Sequence, residues 1–207
     1  MGRRTDHSRE ELREVILSAA EMIVTQTGEN GLSARAIAKR IGYSVGTLYN
    51  LFDDLDDLIV HVNARTLDAL YKACARPGGQ DSPGETLRAY ARAYLRFTER
   101  HANRWALLLG RNSPRAGDLP EWYQSKVQRL LLLVENALAP CFDDRQHDRR
   151  QRAALVLWTS LEGIASLAHA KAIGADPLQL ADELIVTFLR GLEPRQAQGI
   201  VSTPAAP

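Results

Sequence analysis

The stretch Ser33–Phe52, SARAIAKRIGYSVGTLYNLF, constrains this chain more than any other. Ser33 is placed to cap a helix, and Ala34, Ile37, Ala38 and Ile41 then recur at helical spacing and bury one face. Gly42-Tyr43-Ser44 interrupts that helix: Gly42 supplies a C-cap and Ser44 can cap a second helix. The second helix, Val45 to about Leu51, is too short to persist unless its neighbours hold it. Two short helices joined by a tight glycine-containing turn form the helix-turn-helix pattern, whose second helix can enter the DNA major groove. The same pattern also serves as a plain packing unit. Here Leu48 and Phe52 give the second helix an inward face, while Ser44, Gly46, Thr47 and Asn50 leave short polar groups and open backbone elsewhere. A glycine inside so short a helix is costly unless something must approach it closely.

At these residues the chain resembles the TetR/AcrR family of transcriptional regulators. The family pattern A-x-x-I-A-x-x-x-G-x-S-x-G-T-L-Y-x-x-F-x-x-K-x-x-L is met by Ala34, Ile37, Ala38, Gly42, Ser44, Gly46, Thr47, Leu48, Tyr49, Phe52 and Leu58. The resemblance covers about the first quarter of the chain. It implies that the positions of Arg35, Val45, Gly46, Thr47, Tyr49 and Asn50 supply much of the contact with operator DNA. One position departs: Leu55 stands where the family usually has a phosphate-contacting lysine, and weaker non-specific affinity is expected.

Side-chain chemistry adds roles to these positions. Arg35 has the reach to fork onto guanine O6 and N7. Ser33, Ser44 and Thr47 can donate hydroxyls to phosphate, as can the Tyr49 phenol. Asn50 suits adenine or a phosphate, and Lys39 and Arg40 are groove-flanking charges or solvated surface.

A length of 207 residues permits a small N-terminal head and a larger second domain. Alanine, leucine, arginine and glutamate dominate and β-branched runs are scarce, so the expected class is all-α. It comprises a three-helix helix-turn-helix head followed by a helical-bundle regulatory and dimerisation domain, about nine helices in total. The net charge of +1 excludes a polycationic tail but not a local positive face. No apolar run is long enough for a membrane span or a secretory signal, so the expected location is cytoplasmic. Cys74 and Cys141 follow no metal or redox spacing and are expected as free thiols. No cofactor or metal is implied.

Residues 1–54 form the expected DNA-binding domain. Its first helix begins near Ser8, buries Leu12, Val15, Ile16, Ala19, Ala20 and Ile23, and ends before Gly28. Arg3 and Arg4 form a basic arm that frays or reaches phosphates and the minor groove. Asp54 can cap a fourth helix running to about Cys74, the natural lever between the two domains. Residues 75–85 read as a loop. Helices are then expected at 85–100, 102–109, 121–139, 149–173 and 177–192. They complete a ligand-binding and dimerisation domain over 55–193, before a proline- and alanine-rich disordered tail over 194–207.

One head reads only half a site, so a homodimer is expected, through the last two long helices. Gly163 lies in an apolar run there and allows close helix approach. This stretch resembles, more weakly, a TetR C-terminal class marked by a tryptophan and a histidine-glycine pair. Trp158 and Gly163 fit it, and Glu162 stands in place of the histidine. Tyr90, Tyr94, Phe97, Trp105, Trp122, Tyr123, Trp158, Glu162 and His169 are the candidate lining of a small-molecule effector site, or ordinary core filling. Glu162, inside an apolar helix, must be paired or neutralised: by Arg104, by a neighbour of His169, or by a cationic or hydroxyl-bearing ligand. The expected function is a ligand-released repressor of a palindromic operator. The alternatives are a ligand-independent DNA-binding dimer and a small helical enzyme using Glu162 and His169.

Overall fold

A computed structural model describes residues 7–110 and 119–192 of the chain; the basic arm at Arg3 and Arg4 and the tail expected over 194–207 lie outside them. The described residues form nine α-helices and no strand, as the composition implies. They are α1 (Arg9–Thr27), α2 (Ala34–Ile41), α3 (Val45–Tyr49), α4 (Leu55–Ala75), α5 (Pro83–Arg100), α6 (Ala102–Leu109), α7 (Glu121–Leu138), α8 (His147–His169) and α9 (Pro177–Leu192).

Local chemistry sets the head helices. Ser8 and Glu11 close a reciprocal capping box on α1, with Ser8 N–H donating to Glu11 Oε2 at 2.8 Å and Glu11 N–H to Ser8 Oγ at 3.2 Å. Ser33, Ser44 and Asp54 cap α2, α3 and α4 in the same sense, each accepting an N–H from three residues on. Gly42 ends α2 in the left-handed region at φ 75°, which a side chain would strain.

Several boundaries differ from the sequence reading, each for a local reason. α3 stops at Tyr49, past which the Leu51 N–H turns back only three residues, to the Leu48 carbonyl, in a tighter turn than the helix. The loop after α4 is shorter than expected, since Ser82 caps α5 and Pro83 opens it. α8 starts at His147 and ends at His169; Lys171, at φ 52°, turns the chain so that Ala172 N–H reaches the Leu167 carbonyl.

Two apolar cores form, and α4 belongs to both. Its Leu58, Ile59 and Val62 face the head with Ile16, Ala20, Ile37, Leu48 and Phe52. Its Val60, Ala64, Leu67, Leu70 and Cys74 face the bundle of α5, α7, α8 and α9. Leu107 of α6, almost fully buried, inserts into the head core, although it lies beyond the expected head.

Polar contacts reinforce this junction. Arg104 of α6 donates to Glu21 of α1 at 3.1 Å and to the buried Thr66 hydroxyl of α4 at 3.2 Å. Arg65 of α4 pairs with Glu14 and Glu21 of α1. On the far side, Lys126 and Arg129 of α7 both hold Asp68 of α4 at 2.8 Å. Head and bundle thus meet through α4 and α6 together.

Candidate functional site

The first site is the outer surface of α2 and α3. Ser33, Arg35, Ser44, Gly46, Tyr49 and Asn50 are exposed, with Val45 and Thr47 half-buried among them, while Leu48 points into the head core. The Ser44 and Thr47 hydroxyls lie 2.9 Å apart at the α3 N-terminus, where the Thr47 N–H donates to Ser44 Oγ at 3.2 Å. Gly46 faces open space: a Cβ there would meet only Ser44 Oγ, at 3.7 Å. Tyr49 is 48% exposed, a large share for an aromatic residue. A rod of phosphates fits this relief of short hydroxyls, open backbone and one arginine.

The far end of α3 is tethered from behind. Arg13 of α1 donates to the Leu51 carbonyl at 2.9 Å and stacks over Phe52, 4.4 Å from its ring centre. Its second nitrogen lies 2.6 Å from His61 Nε2. Burial and the Arg13 charge push the His61 imidazole below its ordinary value, against the opposing pull of Asp57. Sequence spacing gave no sign of this tether, because its members come from α1, α4 and the turn after α3.

The second site lies inside the bundle. A narrow apolar seam runs between α4, α5, α7, α8 and α9, with a free volume of about 30 Å³. Tyr90, Tyr94 and Trp158 line it among aliphatic side chains such as Leu130, Leu157 and Ile185. Tyr94 and Trp158 meet edge to face at 5.3 Å. A wider cleft of about 610 Å³ opens at the α8–α9 turn, with His169, Arg96 and Asp176 on its walls.

Between seam and cleft sits a chain of hydrogen bonds. The Trp105 indole N–H donates to Tyr94 Oη at 3.1 Å, and the Tyr94 hydroxyl donates to Glu162 Oε2. Glu162 Oε1 is buried with no hydrogen-bond partner among the described residues. Burial raises the Glu162 carboxyl above the usual carboxylate range, and burial together with Glu162 raises the Tyr94 phenol. Arg104, a partner considered from sequence, is instead committed to Glu21 and Thr66. His169 packs edge-on against Trp105 at 5.6 Å.

The remaining aromatics go elsewhere. Phe97 packs on His101, Tyr123 is buried in the bundle core, and Trp122 leaves the bundle to stack on His61. Among the described residues no group of His, Cys, Asp and Glu is arranged to hold a metal. No described helix is long and apolar enough to cross a membrane.

Comparison with known proteins agrees with this geometry. Residues 16–62 match the family model for bacterial regulatory proteins of the tetR family, and residues 87–188 match that for the tetracyclin repressor-like C-terminal domain. The chain belongs to the TetR/AcrR family and is a sequence-specific DNA-binding transcriptional regulator. An uncharacterised HTH-type transcriptional regulator of Mycobacterium tuberculosis, Rv0681, is 24% identical over 188 residues, 90% of this chain and 84% of its own. A protein of unknown function from Rhodococcus sp. RHA1 shares the fold with a TM-score of 0.72 at 24% identity, over 92% of this chain and 98% of its own. The multidrug binding protein EbrR, complexed with imidazole, aligns with a TM-score of 0.62 at 21% identity, over 88% of this chain and 96% of its own.

Proposed function

We propose that the protein works as a homodimeric repressor, released from a palindromic operator by a small molecule bound in the helical bundle. The observation that carries the DNA contact is the exposed surface of Arg35, Ser44, Gly46, Thr47, Tyr49 and Asn50, set on a head whose opposite face is fully packed. Arg35 forks onto a base edge, and the hydroxyls of Ser33, Ser44, Thr47 and Tyr49 hold phosphates that fix the register. The dividing line between the two domains is placed at Leu55, with α4 shared.

Dimerisation is assigned to α8 and α9. Leu155, Val156 and Leu167 are each about half exposed, and the Gly163 backbone between them is open, with nothing within 4 Å of a Cβ. Such an apolar stripe suits a second copy of the chain, whose head then lies a whole number of helical turns away on DNA.

Release follows from population shift. The bundle packed around a 30 Å³ seam has no room for an organic molecule, so a ligand binds only an expanded arrangement. Expansion displaces α4, which is shared with the head, and α7, whose Trp122 reaches His61. By linkage, operator DNA weakens ligand binding by the same factor. EbrR, described as a multidrug binding protein, supports an effector role for this fold.

The slim seam also favours a second reading, a DNA-binding dimer that needs no ligand. One titration against DNA tiled from the protein's own upstream region, at fixed salt with competitor DNA, tests the main reading. Saturable binding to one palindromic fragment, lost on Arg35→Ala or Tyr49→Phe, supports it. Uniform weak binding to every fragment overturns it.

A further inference from the structure

The bundle holds a half-buried acid, one oxygen of it fully buried, that no cation pairs with among the described residues. Glu162 accepts one hydrogen bond, from the Tyr94 hydroxyl, and no arginine, lysine or histidine among the described residues pairs with it. Arg104, the cation considered from sequence, is held by Glu21 and Thr66. The donors at Glu162 all run one way, from Trp105 N–H to Tyr94 O–H to the carboxyl, so the chain ends on an acceptor. Leaving an acidic group so placed costs stability, and accepting the Tyr94 hydrogen bond alone is met as well by glutamine.

Alongside this group lies the apolar seam. Tyr94 belongs to both: its ring lines the seam and its hydroxyl holds Glu162. Trp158 stands against it, offering a second aromatic face of the kind that attracts cations. The seam is slim and otherwise hydrocarbon.

Resting on the reading of the bundle as the effector site, we propose that the effector is a slim organic cation, an ammonium group on an apolar body. The ammonium donates to Glu162 and lies against the Tyr94 and Trp158 rings, while the apolar body opens the seam. A carboxylate effector is repelled, and a neutral alcohol of equal length gains the burial without the ion pair.

Three probes of one length test this: decylammonium, decanol and decanoate, each below its aggregation limit, titrated calorimetrically into the full-length protein. Decylammonium is expected to bind at least about tenfold more tightly than decanol, a difference of about 1.4 kcal/mol. In Glu162→Gln the two are expected to come within about twofold. Tyr94→Phe, which frees the second carboxylate oxygen, keeps the preference. Equal binding of decylammonium and decanol by the wild type overturns the proposal, as does a preference that survives Glu162→Gln, or no binding by any probe.

Release of an operator fragment, followed by fluorescence anisotropy, separates this proposal from the reading it rests on. A Glu162-dependent preference for the cation without release leaves the ligand class standing and removes the effector role. Release by decanol and decylammonium alike does the reverse.

Discussion

The indole of Trp122 lies flat on the imidazole of His61, ring centres 4.9 Å apart and planes 14° from parallel. Trp122 belongs to the bundle through α7, and His61 reaches Arg13, which holds the Leu51 carbonyl just beyond α3. Three side chains therefore join a bundle helix to the end of the DNA-facing helix without using the length of α4.

If these side chains act as one unit, Trp122→Ala and Arg13→Ala are not additive. A double-mutant cycle on operator affinity is expected to show a coupling energy of about 0.5 kcal/mol or more. Trp122→Ala alone costs about 1 kcal/mol of stability in denaturant unfolding. Strict additivity in the cycle reduces the stack to surface packing.

Two half-buried groups tilt the pH profile of stability in opposite directions. His61 is depressed below about 6.5, so the folded state holds its proton less tightly than the unfolded chain. Its contribution is present above that value and lost as pH falls through the folded pKa, with Arg13 and Arg65 opposing protonation and Asp57 favouring it. Replacing His61 by glutamine is expected to flatten the fall of the melting temperature on acidification. The flattening is partial, because His101 is depressed by burial and the nearby arginines in the same sense.

Glu162 has the other sign. Its carboxyl is raised above 4.5, so its contribution is fully present below that value and lost as pH rises through the folded pKa. Glu162→Gln is expected to match the wild type in acid and to exceed its melting temperature increasingly toward neutral pH. A variant less stable than wild type at neutral pH contradicts this account of the burial.

Gly46 separates folding from DNA binding. Because a Cβ there meets no obstacle within the chain, Gly46→Ala is expected to stabilise the head by about 0.5–1 kcal/mol through helix propensity. The same methyl stands in the way of the duplex, and operator affinity is expected to fall about tenfold. Unfolding curves and anisotropy titrations on the one variant check both halves.

Arg104 is the polar bolt between α6 and the head. Arg104→Ala removes one of the two arginines on Glu21, which Arg65 still holds, and takes the donor from the buried Thr66 hydroxyl. Unfolding free energy is expected to drop by about 1–2 kcal/mol. A loss below about 0.5 kcal/mol, the level of a surface pair, removes the bolt from the account.

The head was legible in the sequence because its signals are local. Ser33, Gly42, Ser44 and Asp54 cap or end helices through bonds three or four residues long, and Ile37, Ala38, Leu48 and Phe52 repeat at helical spacing. Leu55, which replaces the family's lysine, sits half-buried as the first residue of α4 and packs on the head core. The bundle was less legible. Spacing puts Trp122 and Tyr123 one residue apart on α7 but cannot say that one stacks on His61 while the other enters the core. Likewise it marked Glu162 as a buried acid and not Tyr94 as its partner, since that choice depends on how α5 meets α8. The slim seam is equally a product of five helices meeting.

Leu107 carries the last lesson. A residue from beyond α4 completes the head core, so the head is not a cassette that can be cut out after Ala75. Transplanting it onto another member's bundle would leave a leucine-sized hole between α1 and α4 unless the recipient's own α6 happened to fill it. Engineered sensors that swap heads among relatives of this chain must therefore carry α6 along, or match its side chain to the new socket.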